Sequence, residues 1–388
     1  MTQPWKLKLV SVLISLAIGI GLAEIGLRIV GFSSPNFVMP DEYRGFSLRP
    51  NAEGWWRKEG EAYIRINSDG LRDRERIKKK PPNTFRIAML GDSMIEALQV
   101  PLEETACAII ENRLQGCEGL DDLRIEVINF GVSGYGTVQQ LFTLRHKVWD
   151  YSPDIVVLAF TTINDIRDNV RTLAHHSDLR PYFVYHNGQL VPDKSFLQSP
   201  RFRQQRSSFR ESLIWLKSHF RILELLNDWR SALGVFRLGR DQDFIDTSNL
   251  VYREPNDPIW SEAWRITEAM ILLMRDEVRT RNAKFLLATL TNDYQVHPDS
   301  KVRQEFATKI SVKDLSYPDQ RLRALGEREG FPVVNLTSSF ADYAENNRVF
   351  LHGFDGQIGF GHWNAEGNRL AAEILSEELC GMIVPSPS

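Results

Sequence analysis

The chain has 388 residues, 43% hydrophobic and 25% charged, which excludes a disordered or fibrous protein and allows a full core. A formal net charge of −3 gives no basis for nucleic acid as a partner. Three cysteines, Cys107, Cys117 and Cys380, are too few and odd in number for a disulfide framework, and none has metal-ligand spacing.

At the N-terminus, Lys6 and Lys8 precede an apolar run over residues 9–23, which Ser11 and Ser15 alone interrupt. It continues through Glu24 and Arg28 to Phe32. A bilayer-spanning helix needs about 20 mostly apolar residues. The run meets that length if Glu24 and Arg28, four apart on one helix face, pair near the interface. Residues 1–32 therefore read as an uncleaved anchor, a single N-terminal pass with its basic end in the cytoplasm. The remaining chain then lies outside the cytoplasm, in the periplasm or beyond the cell. Two other readings stand beside it: a signal peptide cut after Gly21-Leu22-Ala23, and a buried core helix.

Residues 33–83 read as a lead-in and linker. They hold Pro35, Pro40, Pro50, the pair Trp55-Trp56 and the turn Asn67-Ser68-Asp69-Gly70. Residues 63–66 alternate like a short strand. Residues 76–82 are basic and end in two prolines, a solvated connector with at most a weak attraction to anionic lipid.

From residue 84 onward, strands alternate with helices. Apolar strands are expected over 85–90, 124–130, 154–160, 283–290 and 331–336. Helices are expected near 102–114, 137–148, 260–281, 320–329 and 364–379. This rhythm predicts an α/β domain over 84–388, with a parallel sheet between helical layers. Residues 166–258 break it and read as an insertion over the sheet's carboxyl edge, with an amphipathic helix near 209–233. Cys107 and Cys117 fall in the 102–114 helix and at its end, so a bridge between them is conceivable. Buried or idle thiols are the plainer expectation.

Ligands of such sheets bind outside the carboxyl ends of the strands. There the chain places Gly91-Asp92-Ser93, Asn129-Phe130-Gly131-Val132-Ser133-Gly134 and Asn164-Asp165. A serine at a helix start exposes both its hydroxyl and its N–H to the crevice, as a nucleophile with half an oxyanion hole requires. A plain N-cap is the competing reading. Gly134 lets backbone approach a ligand, or simply makes a tight turn. Asn164 can donate to an oxyanion, or cap a helix. His362, just before the last helix, can act as general base, although a lone histidine is more often structural.

Taken in order, these blocks resemble the SGNH (GDSL-like) serine hydrolase superfamily, over about 85–165 and 283–380. Gly91-Asp92-Ser93 matches the first block, Gly134 the second, Asn164-Asp165 the third and His362 the last. Tyr135-Gly136-Thr137 and the run from His362 to Gly367 resemble a bacterial branch with an N-terminal membrane segment. The resemblance implies a three-layer, flavodoxin-like α/β/α fold with five parallel strands. It also implies Ser93 as nucleophile, His362 as base, and the Ser93 N–H, the Gly134 N–H and the Asn164 amide as the oxyanion hole. No metal or cofactor is implied. Two positions depart from the family: Thr162 stands where glycine is usual, and Gly359 where the triad aspartate is usual, three residues before the histidine. Asp355 is the nearest carboxylate in sequence and the candidate third member. A backbone carbonyl in its place leaves a Ser–His dyad, and a crippled site is the third outcome. The expected function is a serine esterase acting on acyl esters of lipids or O-acetyl groups of acylated polysaccharide. An O-acyltransferase acting on an envelope glycan and a non-catalytic envelope binding protein are the alternatives.

Overall fold

The computed structural model describes residues 4–120, 122–174, 177–238 and 248–384. Residues 1–3 of the expected anchor, and 175–176 and 239–247 of the expected insertion, lie outside these. The first helix, α1 (Pro4–Ile29), is the apolar run. It is long and apolar enough to cross a membrane, with a window of mean hydropathy 2.2 and no burial against the rest of the chain. Arg28 Nε donates to Glu24 Oε1 at 2.8 Å, as the four-residue spacing predicts.

Residues 33–83 are not a linker. They form two antiparallel hairpins, β1 (Val38–Asp41) with β2 (Gly45–Leu48), and β3 (Glu53–Trp56) with β4 (Ala62–Arg65). Phe37, Leu48, Ile64 and Ile66 build a small core with Val132 and Tyr135 of the sheet domain. The basic stretch is also pinned rather than solvated. Arg76 is buried between Asp73 and Glu111, Lys80 pairs with Asp154, and the carbonyls of Ile77 and Lys78 accept from buried Arg86. Burying so many cations is tolerable only because each finds an acceptor.

The main sheet holds β5 (Thr84–Leu90), β6 (Arg124–Asn129), β7 (Ile155–Thr161), β10 (Lys284–Leu290) and β11 (Val333–Asn335), all parallel, in the order β6-β5-β7-β10-β11. Every residue of β7 is buried, as a central parallel strand covered on both faces requires. Alternate side chains feed two cores. Leu90, Leu158, Phe160 and Leu287 pack with α4 (Thr137–His146) and the helix Pro258–Thr280. Ile87, Met89, Val157 and Leu286 pack with α3 (Ala106–Leu114) and the last helix, Ala365–Ile383. Each such side chain contributes roughly 1.5–3 kcal/mol on burial.

After α5 (Asn164–Arg167), the insertion contains β8 (Tyr182–His186), β9 (Gln189–Asp193), α6 (Pro200–Gln205), α7 (Ser208–His219) and α8 (Arg221–Leu238). The single amphipathic helix expected there is thus broken in two at Phe220, which leaves helical geometry with φ −121° and ψ 109°. Cys107 is the buried thiol expected, but Cys117 is bridged to Cys380, at a Cα separation of 6.1 Å, and not to Cys107. The bridge ties the end of α3 to the last helix, which pack side by side.

Candidate active site

The sheet's carboxyl edge is assembled from short turns. Strand β5 ends at Leu90, and α2 (Ser93–Glu96) begins three residues later. Buried Asp92 caps that helix: its Oδ1 accepts from the Met94 N–H at 2.9 Å. Ser93 is thereby the first helical residue, its hydroxyl pointing out of the cap. Beneath it, the guanidinium of buried Arg72 donates to the carbonyls of Glu96 and Val100, at 2.8 and 2.5 Å.

His362 comes from the loop before the last helix. Its Nε2 lies 2.8 Å from Ser93 Oγ. Its Nδ1 lies 2.5 Å from Glu59 Oε2, and its backbone N–H donates to Glu59 Oε1 at 2.7 Å. With Nδ1 bonded to a carboxylate, the proton sits on Nδ1 and Nε2 is left to accept from the serine, an assignment made from the network. The two oxygens of Glu59, one on the ring and one on the backbone, fix the rotation of the imidazole.

Glu59 corrects the expectation for Asp355. Asp355 is exposed, and no hydrogen bond joins it to His362 among the described residues. The ring nitrogen it was to orient is taken by a residue 303 positions away in sequence. Glu59 sits in the β3–β4 turn, where Trp56 Nε1 donates to its carbonyl. Gly60 follows with φ +66°, and a Cβ there would collide with the Gln99 carbonyl. Gly361 has φ +93°, and a Cβ there would collide with Glu59 Oε1. The chain therefore makes room for this carboxylate at both ends. The sequence signal that could have found Glu59 was weak: an acid and a glycine between two strand-like segments.

The electrostatics agree with the geometry. Burial works against the Glu59 anion, but the hydrogen bonds and charge of His362 hold its carboxyl below the usual range. Burial also disfavours the His362 cation, yet the hydrogen bond and charge of Glu59, then Asp92 and Glu96, raise its pKa above the ordinary 6.5. The His362 loop is braced by buried His352, whose Nδ1 donates to Gly361 O at 2.7 Å and whose Nε2 meets Thr291 Oγ1 at 3.0 Å.

The expected oxyanion donors lie at neighbouring strand ends. Among the described residues, no acceptor pairs with the N–H of Ser93 or of Gly134. Gly134 O is turned away, accepting from Arg180 at 2.9 Å. The Asn164 amide donates one hydrogen to Asp92 Oδ2 at 3.0 Å, while its oxygen accepts from Arg167 at 3.3 Å. That pairing fixes which way the amide faces and leaves its second hydrogen over. Gly134 and Asn164 line one cavity of 580 Å³ with Phe46, Leu179 and Arg180, so the insertion borders these loops. Asp165 is structural: buried, it accepts from the Thr161 N–H and from Gln140, and burial drives its pKa well up. Thr162, at the usual glycine position, accepts from Asn292 Nδ2 at 2.8 Å and so ties β7's end to the loop after β10.

A serine after the first sheet strand, an asparagine after the third and a histidine before the last helix thus stand along the carboxyl edge of a β6-β5-β7-β10-β11 sheet. No family model matches the sequence, and no curated protein matches it. Among solved structures the chain is similar to an acetyl xylan esterase, at 16% identity and TM-score 0.37, over 76% of this chain and 100% of that one. It is also similar to a catalytic mutant of an acetylxylan esterase from Geobacillus stearothermophilus, at 13% identity and TM-score 0.41, over 78% of this chain and 96% of that one. Similarity at this level says nothing by itself about substrate.

Proposed function

We propose that this chain is a membrane-anchored serine hydrolase of acyl esters, working through a Ser93–His362–Glu59 triad. The observation that carries the reading is the unbroken relay from Ser93 Oγ through both nitrogens of His362 to Glu59. His362 Nε2 takes the serine proton as Oγ attacks the ester carbonyl. Glu59 holds the imidazole in the accepting tautomer and stabilises the imidazolium that forms. The N–H groups of Ser93 and Gly134 and the remaining Asn164 hydrogen receive the oxyanion. Each such donor accounts for about 10²–10³ in rate. His362 then protonates the leaving alcohol, and water, deprotonated by the same nitrogen, releases the acid and frees Ser93. The substrates that suit this chemistry are acyl esters of lipids or O-acetyl groups on glycans.

Location follows from two further features. Lys6 and Lys8, in the first turns of α1 ahead of its apolar run, favour a cytoplasmic N-terminus and a catalytic domain outside. The Cys117–Cys380 bridge suits an oxidising compartment. The test is a fluorophosphonate probe applied to the full chain and to Ser93→Ala, beside turnover of p-nitrophenyl acetate. Covalent labelling and turnover in the parent, both lost in Ser93→Ala, are expected. A parent that neither labels nor turns over the ester would leave a non-catalytic binding protein.

A further inference from the structure

The hairpin of α7 and α8 exposes apolar surface that the fold does not use. None of the twelve residues of α7 is buried. Phe209, Leu213 and Leu216, at i, i+4 and i+7, share one helix face and are all exposed, Phe209 by 75%. Leu225, Leu226 and Trp229 form a second stripe on α8, with Trp229 exposed by 66%. Trp215 of α7, off that helix's stripe, is exposed by 60%. Scattered exposed apolar residues need no explanation, but two stripes on adjacent helices, with exposed Trp215 beside them, do.

The hairpin's place in the molecule says what covers it. Its corner is tied to the end of α1. Arg28 donates to the His219 carbonyl at 2.6 Å, and the Ile222 N–H donates to Glu24 Oε2 at 3.1 Å. Just past α1, Ser34 donates through its N–H to Glu224 at 2.9 Å and through its hydroxyl to Asp228 at 2.8 Å. The corner of the hairpin and the α8 stripe next to it are therefore held at the level where α1 leaves its apolar run. Arg210, Lys217 and Arg230 lie among them, the combination of aromatic and basic residues that settles at a lipid headgroup boundary.

We infer that α7 and α8 dock on the bilayer that α1 enters, their Phe, Leu and Trp side chains inserted at the headgroup boundary. This rests on the reading of α1 as a membrane span. Docking fixes the catalytic domain against the lipid surface instead of leaving it on a swivel. It also sets the site's height: Lys58, beside Glu59, lines both the cavity next to the triad turn and the groove against α7 and α8. Esters held at or near the membrane surface are then the ones within reach.

The test uses the full chain in nanodiscs of phosphatidylethanolamine and phosphatidylglycerol. An NBD fluorophore is attached to single introduced cysteines, with Cys107 buried and the other two bridged. Labels at Phe209→Cys and Trp229→Cys are expected to lose at least half their emission to doxyl-labelled lipid, as does one at Ile14→Cys in α1. A label at Lys301→Cys, exposed on the sheet domain, is expected to lose none. Leu226→Cys, half exposed, repeats the measurement if either hairpin variant fails to fold. If the Ile14 label is quenched while the hairpin labels behave like the one at 301, docking is overturned and the span stands. If the Ile14 label is not quenched, the span falls and docking with it.

Discussion

At the scale of single residues, the site turns on a carboxylate that comes from the wrong place in the chain. Losing the orienting carboxylate of a well-known triad while keeping its shape costs about 10⁴ in kcat. Glu59→Gln keeps the shape and loses the charge, so kcat is expected to fall by on the order of 10³ or more. Asp355→Asn should leave it unchanged, because Asp355 is exposed and the ring nitrogen it would have to reach is held by Glu59. A pH profile adds a second reading. His362 must be neutral to accept the serine proton, so activity falls as pH drops through its pKa. That pKa is raised, with Glu59 the largest favourable cause, so the acid limb in the parent lies above pH 6.5. In Glu59→Gln the limb should move to lower pH, and stopped-flow rates on p-nitrophenyl acetate would show it. A limb that stayed in place would mean Glu59 does not set the charge of His362. Gly361→Ala probes the same carboxylate sterically. Its Cβ would strike Glu59 Oε1, and the φ of +93° is costly for alanine. Steady-state kinetics should show a kcat loss approaching that of Glu59→Gln, with a stability loss of about 1–3 kcal/mol from the backbone strain.

At the scale of elements, the sheet was legible and the support around it was not. Parallel strands buried on both faces read as apolar runs, and each of the five runs from Phe85 onward became a strand within a few residues of expectation. Ser93, Gly134, Asn164 and His362 follow such runs or precede a helix, so topology alone gathers them at one edge. Of the hairpins before the sheet, only the alternation over 63–66 gave a signal, and it became β4 (Ala62–Arg65). The hairpin strands are four residues long, too short for a sustained period, and each carries one polar residue: Asp41, Ser47, Glu53 or Arg65. Their apolar side chains pack against Leu98, Val132 and Tyr135, which lie further along the chain. Proline and charge then mimic a linker. Glu59 was missed for the same reason, since a hairpin turn says nothing about what it lies over. The stretch after β4 also carries weight through Arg72, whose pKa burial pulls down to about 10. Arg72→Met fills the space but leaves the carbonyls of Glu96 and Val100 without donors. At about 1–3 kcal/mol for each unpaired buried group, a loss of at least 2 kcal/mol is expected from the urea midpoint, together with reduced turnover as the Ser93 helix loosens. A variant as stable as the parent would show that water replaces the guanidinium without cost.

At the scale of the whole molecule, anchor, disulfide and site orientation must agree with one another. The bridge spans a sequence separation of 263 residues and joins two helices on one face of the sheet, so it constrains nearly the entire catalytic domain. Three cysteines with an odd one left over hid it, because the pairing needs the last helix to lie along α3, which no local pattern reveals. If α1 holds the domain outside the cytoplasm, the bridge forms as the chain is exported and persists there. Protein purified from the envelope should then take up no thiol reagent while folded, one equivalent when unfolded without reductant, and three when unfolded with it, as read by intact mass. Cys107 accounts for the single equivalent; its thiol is buried, and burial raises its pKa. Cys380→Ser should lower unfolding stability by about 2–5 kcal/mol. Three equivalents without reductant, from protein alkylated before cell lysis, would mean the thiols are reduced in place. The domain would then face the cytoplasm, and Lys6 and Lys8 at the start of α1 would have been given the wrong side of the membrane.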